Sequence, residues 1–457
     1  MLYKTQILKG KIGLEIHTYL ITKEKLFCEC SSSREKGLTP NTNICPICTA
    51  QPGAKPMLPN EEAVKNAVKI GLMLQCKINE EINWQRKHYS WPDLPKGYQN
   101  TLSGPGTLPV GTDGKFLGIT ISSMHLEEDP ASWEPSTGKI DYNRSGLPLV
   151  EIVTAPEFET SEQVIEWLKK LVHYLTYLKC VDSNAGIKVD VNVSIPKKTE
   201  RVEIKNVSSI EDIGKAINYE IQRQLKEGSE RETRRFDSEK EKTIRMRGKE
   251  EAEDYRFISD PDLQLLRLDK IFVEKIKENL PENPEEKLQK FIKQHKISKN
   301  DSEILAKNLD IAEFFEKVSE KIKPEFALPW INIELLRHLN YNKTTLDKVE
   351  IEPEHFIKLL YLVKEKKITE LQAKQILNKF YPKSFDPSLN IKEKITDEKE
   401  IEKIARKAIE KNKKSAEDYL KGEEKAFNYL MGEIMRISEK RADYTIARKI
   451  LLKILEK

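Results

Sequence analysis

Several stretches of this sequence alternate polar and apolar residues, and their polar positions carry groups able to do chemistry. In residues 13–19 (GLEIHTY) a strand would set Glu15, His17 and Tyr19 on one face and Leu14 and Ile16 on the other. A carboxylate and an imidazole two residues apart then stand about 7 Å from each other, near enough to share a metal ion or its water shell. Residues 188–194 (KVDVNVS) align Asp190, Asn192 and Ser194 in the same way, and residues 201–205 (RVEIK) align Arg201, Glu203 and Lys205. Glu151 sits in LVEIV (149–153), a run otherwise apolar enough to be buried, and HLEED (125–129) sets three acids after a histidine. Like charges this close repel unless a cation lies among them. Oxygen donors with one histidine suit Mg²⁺ better than zinc, and Mg²⁺ points to phosphate chemistry.

A second constellation is made of thiols. Cys28, Cys30, Cys45 and Cys48 read C-x-C-x14-C-x2-C, the second pair lying in a knuckle-like ICPIC turn. Two close pairs flanking a loop are the spacing of a tetrahedral zinc site, and with all positions filled by protein such zinc is structural. Cys76 and Cys180 stand alone. Residues 86–99 (RKHYSWPDLPKGYQ) mix cations, aromatics and turn residues as a binding loop does. Residues 232–237 (ETRRFD) and 243–247 (TIRMR) read as two basic strands joined by a polar turn. There is no G-x-x-x-x-G-K-[ST], so a nucleotide is not held by a P-loop; GTDGKF at 111–116 looks like a hairpin turn. There is no G-x-S-x-G elbow either.

These groups need a scaffold, and 457 residues are enough for about three domains. Lys+Arg number 78 against 74 Asp+Glu, a net charge of +4, which argues against a polybasic nucleic-acid coat but not against a local basic face. No apolar run approaches the roughly 18 residues of a membrane span, and residues 1–13 lack the apolar core of a signal peptide. A cytoplasmic location is expected. Up to about residue 280, glycine and proline punctuate short runs of period two, which read as strands. After 281–284 (PENP) the pattern becomes helical, with helices expected at 284–296, 302–322, 352–366, 370–380, 397–412, 416–440 and 443–456. Thr369 with Gln372 and Ser415 with Asp418 look like capping boxes. Residues 381–387 (YPKSFDP), with the polar stretch to 394, read as a hinge before a small terminal module.

Taken in order, the motifs resemble those of a known family: GLEIH, the cysteine knuckle ending in QPGA (51–54), RKHY through YQ, HLEED, DYNRSGLPL (141–149), EIKN (203–206) and DYRF (254–257). The chain is similar over essentially its full length to the B subunits of the aspartyl/glutamyl-tRNA amidotransferases. That resemblance implies an α+β fold: a β-rich cradle with a zinc knuckle over 1–283, an all-α helical domain over 284–394, and a small YqeY-like tail over 395–457. It implies ATP- and Mg²⁺-dependent phosphorylation of the side-chain carboxylate of Asp-tRNA(Asn) or Glu-tRNA(Gln), followed by amidation with ammonia. A free carboxylate is a poor electrophile, so activation is a chemical necessity. Carried over, Glu15, His17, Glu128 and Glu151 would hold the metal. Asp190 and Glu203 would line the same pocket, and Lys87 and Tyr89 would face ATP or the acyl group. The implied partners are an amidase-type A subunit and a small C subunit in a heterotrimer, with no membrane.

The tail is implied to grip tRNA. Residues 401–457 hold 15 Lys/Arg against 10 Asp/Glu, a net +5. Lys425, Gly432 and Arg436 fall near one helical stripe, opposite Ala426, Tyr429, Leu430 and Ile434, and a glycine between cations would let phosphate reach the backbone. Residues 439–441 (EKR) depart from the glycine-containing turn of the family, and 257–262 (FISDPD) from its aromatic-Pro-acid form. Two other readings share some features. The E subunit of the archaeal glutamyl-tRNA amidotransferase has the cradle but an inserted domain absent here. A non-enzymatic zinc-containing RNA-binding protein would leave the acidic strand faces unexplained.

Overall fold

The computed structural model describes residues 9–35, 37–181, 186–207, 209–248, 255–390 and 394–456; Asp254 of the DYRF motif lies outside them, as does the side chain of Asn206. The chain divides into two compact units at Asn283 and Pro284. The first is built on a 12-stranded sheet and the second is helical, so the mixed α+β class expected from the sequence holds.

The main path of the sheet uses β1 (Lys11–Tyr19), β2 (Gln85–His88), β3 (Tyr98–Thr101), β4 (Ile119–Glu128), β5 (Pro148–Thr154), β6 (Ile187–Ser194), β7 (Val202–Val207), β8 (Glu232–Asp237), β9 (Lys242–Gly248) and β10 (Arg256–Ser259). Their order is β9-β8-β7-β6-β1-β5-β4-β3-β2-β10. The pairings along this path are antiparallel except β7 with β8, which is parallel and therefore needs a crossover; the helix Ile210–Glu227 supplies it. The GTDGKF stretch is not a turn but the strand Gly111–Phe116, and the reversal falls on the next two residues, Leu117 and Gly118, both at positive φ.

Period-two alternation gives the sheet two unlike faces. Ile12, Leu14 and Ile16 of β1, Val150 and Ile152 of β5, and Val189, Val191 and Val193 of β6 are buried in one core. That core is closed by α1 (Glu61–Met73), α2 (Ser161–Tyr177) and α3 (Ile210–Glu227). Each helix starts on a side-chain cap, from Asn60, Thr160 and Ser209, which satisfies amides left free in the first turn. A one-residue slip of β1 would expose three such side chains, on the order of 5 kcal/mol or more, so burial fixes which residues face the other way. At the far edge, Glu220 of α3 is fully buried and accepts from Arg223, Gln224 and Thr243, pinning the β8–β9 ribbon to the helix.

The second unit differs from expectation at its helix ends. The helix expected at 302–322 is two, Lys299–Leu305 and Leu309–Ser319, because Asn308 caps the second through the amides of Asp310 and Ile311. The one expected at 416–440 is also two, α5 (Lys413–Leu420) and α6 (Glu424–Ile437), separated at Gly422 with φ +100°. Together with α4 (Glu398–Lys411) and α7 (Tyr444–Leu455) they enclose a core of their own. Ser415 lies inside α5 and is no cap, whereas Thr369 and Gln372 do form the expected capping box. Helical residues 324–341, including a π-turn at Trp330–Leu335, were not anticipated; Pro324 and Pro329 in the sequence masked them. In the EKR turn, Glu439 and Lys440 take the left-handed conformation, at φ 52° and 62°, that glycine adopts without strain. Among the described residues no helix is long and apolar enough to cross a membrane.

Candidate active site

The sheet face opposite the helices is lined with charge. In register, His17 of β1 faces Glu151 of β5 on one side and Lys188 of β6 on the other, while Glu15 faces Asp190. Two groups of metal-competent donors result: His17, Glu127 and Glu151, and Glu15, Asp190 and Glu203, the ligand atoms of each lying within 4.8 Å of one another. His17 Nε2 is 3.4 Å from Glu151 Oε1. Lys205 Nζ bridges the second group, 2.9 Å from Asp190 and 2.6 Å from Glu203. Asn192 donates to Glu15 at 3.0 Å.

Burial favours the neutral imidazole of His17, but the hydrogen bond and charge of Glu151, backed by Glu127 and Asp190, outweigh it and hold its pKa up at about 9. Burial also opposes ionisation of Glu151, yet the hydrogen bond and charge of His17 keep its carboxylate well below the usual range. Burial and then the charges of Glu151, Glu203 and Asp190 push Glu15 up, only partly offset by Lys205. So the face carries more negative charge than its lysines neutralise. A divalent cation would relieve that excess, and one imidazole among carboxylates is a donor set for a hard ion. Binding there would expel a proton from His17.

The expected acid Glu128 is not in either group. Strand alternation turns it away from His125 and Glu127, and its carboxylate takes the backbone N–H of Asn100 at 2.9 Å and the Lys96 ammonium. Glu127 stands in its place, buried, bonded by Thr101 and Gln99. The sequence held the signal for this: Glu127 is two residues from His125, and Glu128 is three. Lys188 was likewise not singled out, though it occupies a polar position of an alternating strand, as does Lys205, which the alternation in RVEIK had aligned with Glu203. Burial lowers the pKa of Lys188, with Arg144 and Arg34 adding to it against Asp129. Arg201 lies just outside β7 and is exposed.

Lys87 and Tyr89 meet at Tyr255: the Lys87 ammonium is 4.6 Å from that ring's centre and the Tyr89 ring 5.6 Å from it, edge-on. Beside them Arg86 is fixed by Asp260 at 2.9 Å and Asp262 at 2.7 Å, which gives the acids of the FISDPD segment a holding role. Beyond the acid groups, the Tyr19 hydroxyl donates to Asp129, Arg144 pairs with Asp129 at 3.1 Å, and Arg34 lies 3.5 Å over the Tyr19 ring.

Cys28, Cys30, Cys45 and Cys48 converge with their sulfurs within 4.8 Å of one another. A tetrahedral zinc with Zn–S bonds of about 2.3 Å needs sulfurs about 3.8 Å apart, so the cluster fits the ion.

Residues 10–274 match the profile of the GatB/GatE catalytic domain, and residues 313–455 that of the GatB domain. The B subunit of the aspartyl/glutamyl-tRNA(Asn/Gln) amidotransferase of Methanocaldococcus jannaschii is 42% identical over 471 residues, covering 98% of each chain. That of Methanothermobacter thermautotrophicus is 42% identical over 444 residues, covering 95% of this chain and 97% of its own. That of Methanopyrus kandleri is 41% identical over 461 residues, covering 98% of each. The chain belongs to the family of amidotransferase B subunits.

In this family member the tail stripe departs from expectation at one position. Ala426, Leu430 and Ile434 of α6 are buried as expected, but Tyr429 is 53% exposed and shares the outer stripe with Lys425, Gly432 and Arg436. The helical period allows this, since 425, 429, 432 and 436 are spaced by four, three and four. The Tyr429 hydroxyl donates to Asn412 at 3.3 Å, Arg436 pairs with Glu433, and a Cβ at Gly432 would meet open space.

Proposed function

We propose that this chain activates and amidates the acyl group of mischarged tRNA as the B subunit of a tRNA-dependent amidotransferase. The observation that carries this is the pair of donor groups on one sheet face, beside the Lys87–Tyr89–Tyr255 cluster. A carboxylate oxygen of Asp-tRNA(Asn) or Glu-tRNA(Gln) attacks the γ-phosphorus of ATP, and ADP leaves. Ammonia then attacks the activated carbonyl carbon, phosphate leaves, and the nitrogen gives up a proton.

His17, Glu127 and Glu151 are assigned to hold Mg²⁺, which when bound supplies charge neutralisation for phosphate. Glu15, Asp190 and Glu203 line the same pocket, with Lys205 fixing the last two. Lys87 and Tyr89 face ATP or the acyl group. Glu128 sets the Lys96 and Asn100 corner behind the site. Ammonia comes from a glutaminase, the A subunit, and a small C subunit completes the heterotrimer. The ranges 1–283, 284–394 and 395–457 are cradle, helical domain and tRNA-gripping tail. The test is release of inorganic phosphate from ATP by the chain together with these partners. Release that does not rise on adding mischarged tRNA would overturn this reading.

Two further outcomes are expected. Metal analysis of purified protein finds about one zinc per chain, lost when Cys28 and Cys45 are both changed to Ala; retention of zinc by the double variant would end that assignment. In the tail, Lys425→Ala or Arg436→Ala lowers the slope of log affinity for tRNA against log salt by roughly one, because each contact releases about one counterion. Tyr429→Ala weakens binding by about 1–3 kcal/mol with the slope unchanged, as loss of a stacking surface does. If all three variants bind tRNA like the parent at moderate salt, the contact lies elsewhere.

A further inference from the structure

Lys25 is 1% exposed, one of the largest fully buried side chains of the protein. Its ammonium donates to the carbonyl of Asn43 at 2.9 Å and to the carbonyl of Tyr142 at 3.2 Å, and lies 3.6 Å from Cys48 Sγ. Among the described residues no carboxylate pairs with it. A buried ammonium without an opposite charge is strongly disfavoured, and two neutral carbonyls satisfy its protons without balancing its charge. The group in reach that can carry negative charge is the sulfur cluster. Four thiolates around one divalent metal sum to 2 − 4 = −2, itself a costly charge to bury.

We infer that Lys25 is the internal counter-cation of a metal-bound Cys28–Cys30–Cys45–Cys48 cluster, reducing its net charge to −1. This rests on a metal filling the four-cysteine cluster and is independent of the amidotransferase reaction. The same ammonium ties together the two loops it bonds. Around it, Ser145 Oγ donates to the Cys48 carbonyl at 2.8 Å, the Asn43 N–H to Asn143 Oδ1 at 2.8 Å, and the Leu26 N–H to the Gly146 carbonyl at 2.8 Å. The loop so held carries Arg144, which donates to the carbonyls of Pro130 and Ala131 and pairs with Asp129, the acceptor of the Tyr19 hydroxyl. Lys25 is therefore a positioning residue: it joins the metal cluster to the segment that sets Asp129 and Arg144 at the end of the acid face.

The test uses the full-length chain with Lys25→Met, which keeps most of the side chain's apolar length but not its charge, and Lys25→Gln, which keeps a donor but not the charge. Zinc affinity, read by competition with chelators of graded strength, falls about tenfold or more in both. Alkylation of Cys48 by iodoacetamide, read by mass spectrometry, speeds up by a similar factor. Zinc affinity within twofold of the parent in Lys25→Met would overturn the inference and leave Lys25 a packing residue. Should neither variant fold, the parent protein decides: acylation of the Lys25 amine, compared with exposed Lys23, rises at least about tenfold when zinc is stripped. Equal protection with and without zinc would overturn it. Absence of zinc from the parent would instead end the cluster assignment itself, which metal analysis registers separately.

Discussion

Changing Glu127 or His17 to Ala abolishes amidation of mischarged tRNA with ammonium salts as nitrogen donor, while tRNA affinity stays within about threefold. Each removes a donor from the His17–Glu127–Glu151 group, and such a group contributes several kcal/mol to stabilising charge in phosphoryl transfer, so a loss of roughly a thousandfold or more is expected. Binding changes little because the proposed tRNA contacts lie mainly on the cationic stripe of α6. Glu128→Gln is the control. Its carboxylate accepts from the Asn100 N–H and from Lys96, and an amide oxygen can still accept both, so most activity survives. The measurement is the rate of Asn-tRNA or Gln-tRNA formation with each variant. Near-normal turnover in Glu127→Ala and His17→Ala, or a loss confined to Glu128→Gln, would return the metal-facing role to Glu128.

The second large effect is all or none. The isolated chain makes product from ammonium at alkaline pH but makes none from glutamine. Glutamine hydrolysis needs an activated nucleophile, and the two cysteines outside the cluster are poor ones. Burial pushes the thiols of Cys76 and Cys180 up to about 12, so at neutral pH almost no thiolate forms in either. Cys76 has Asp113 as a further opposing charge. Adding the amidase partner should confer glutamine use without changing the ammonium-driven rate. Glutamine-driven turnover by the contaminant-free single chain would reveal a nucleophile elsewhere.

Both predictions depend on features the sequence disclosed unequally. Alternation in GLEIH and KVDVNVS was enough to set Glu15, His17 and Asp190 on one face, because a half-buried sheet forces period two. Which of two adjacent acids joined them was also implicit in that period, but the family resemblance drew attention to Glu128 instead. The donor grouping was hidden for another reason: it depends on cross-strand register between β1, β5 and β6, and no local pattern reports register. Helix ends were blurred where a polar residue such as Asn308 competes with continued helix by capping the next one. Tyr429 was misplaced because an aromatic residue reads as core, whereas helical phase puts it with Lys425 and Arg436.

β1 lies between β5 and β6, so this strand finds both partners far downstream, Glu15 opposite Val153 and Asp190. During synthesis, residues 11–19 leave the ribosome with no strand partner until the segment through Thr154 has followed, and lack the second until the segment through Ser194 has. A chain released early, or cleaved before that point, thus holds its histidine and first glutamate without the strand that completes their neighbourhood. The price is a long interval in which an amphipathic strand with Ile12, Leu14 and Ile16 on one side stands open to wrong partners, a window that nascent-chain chaperones are suited to cover.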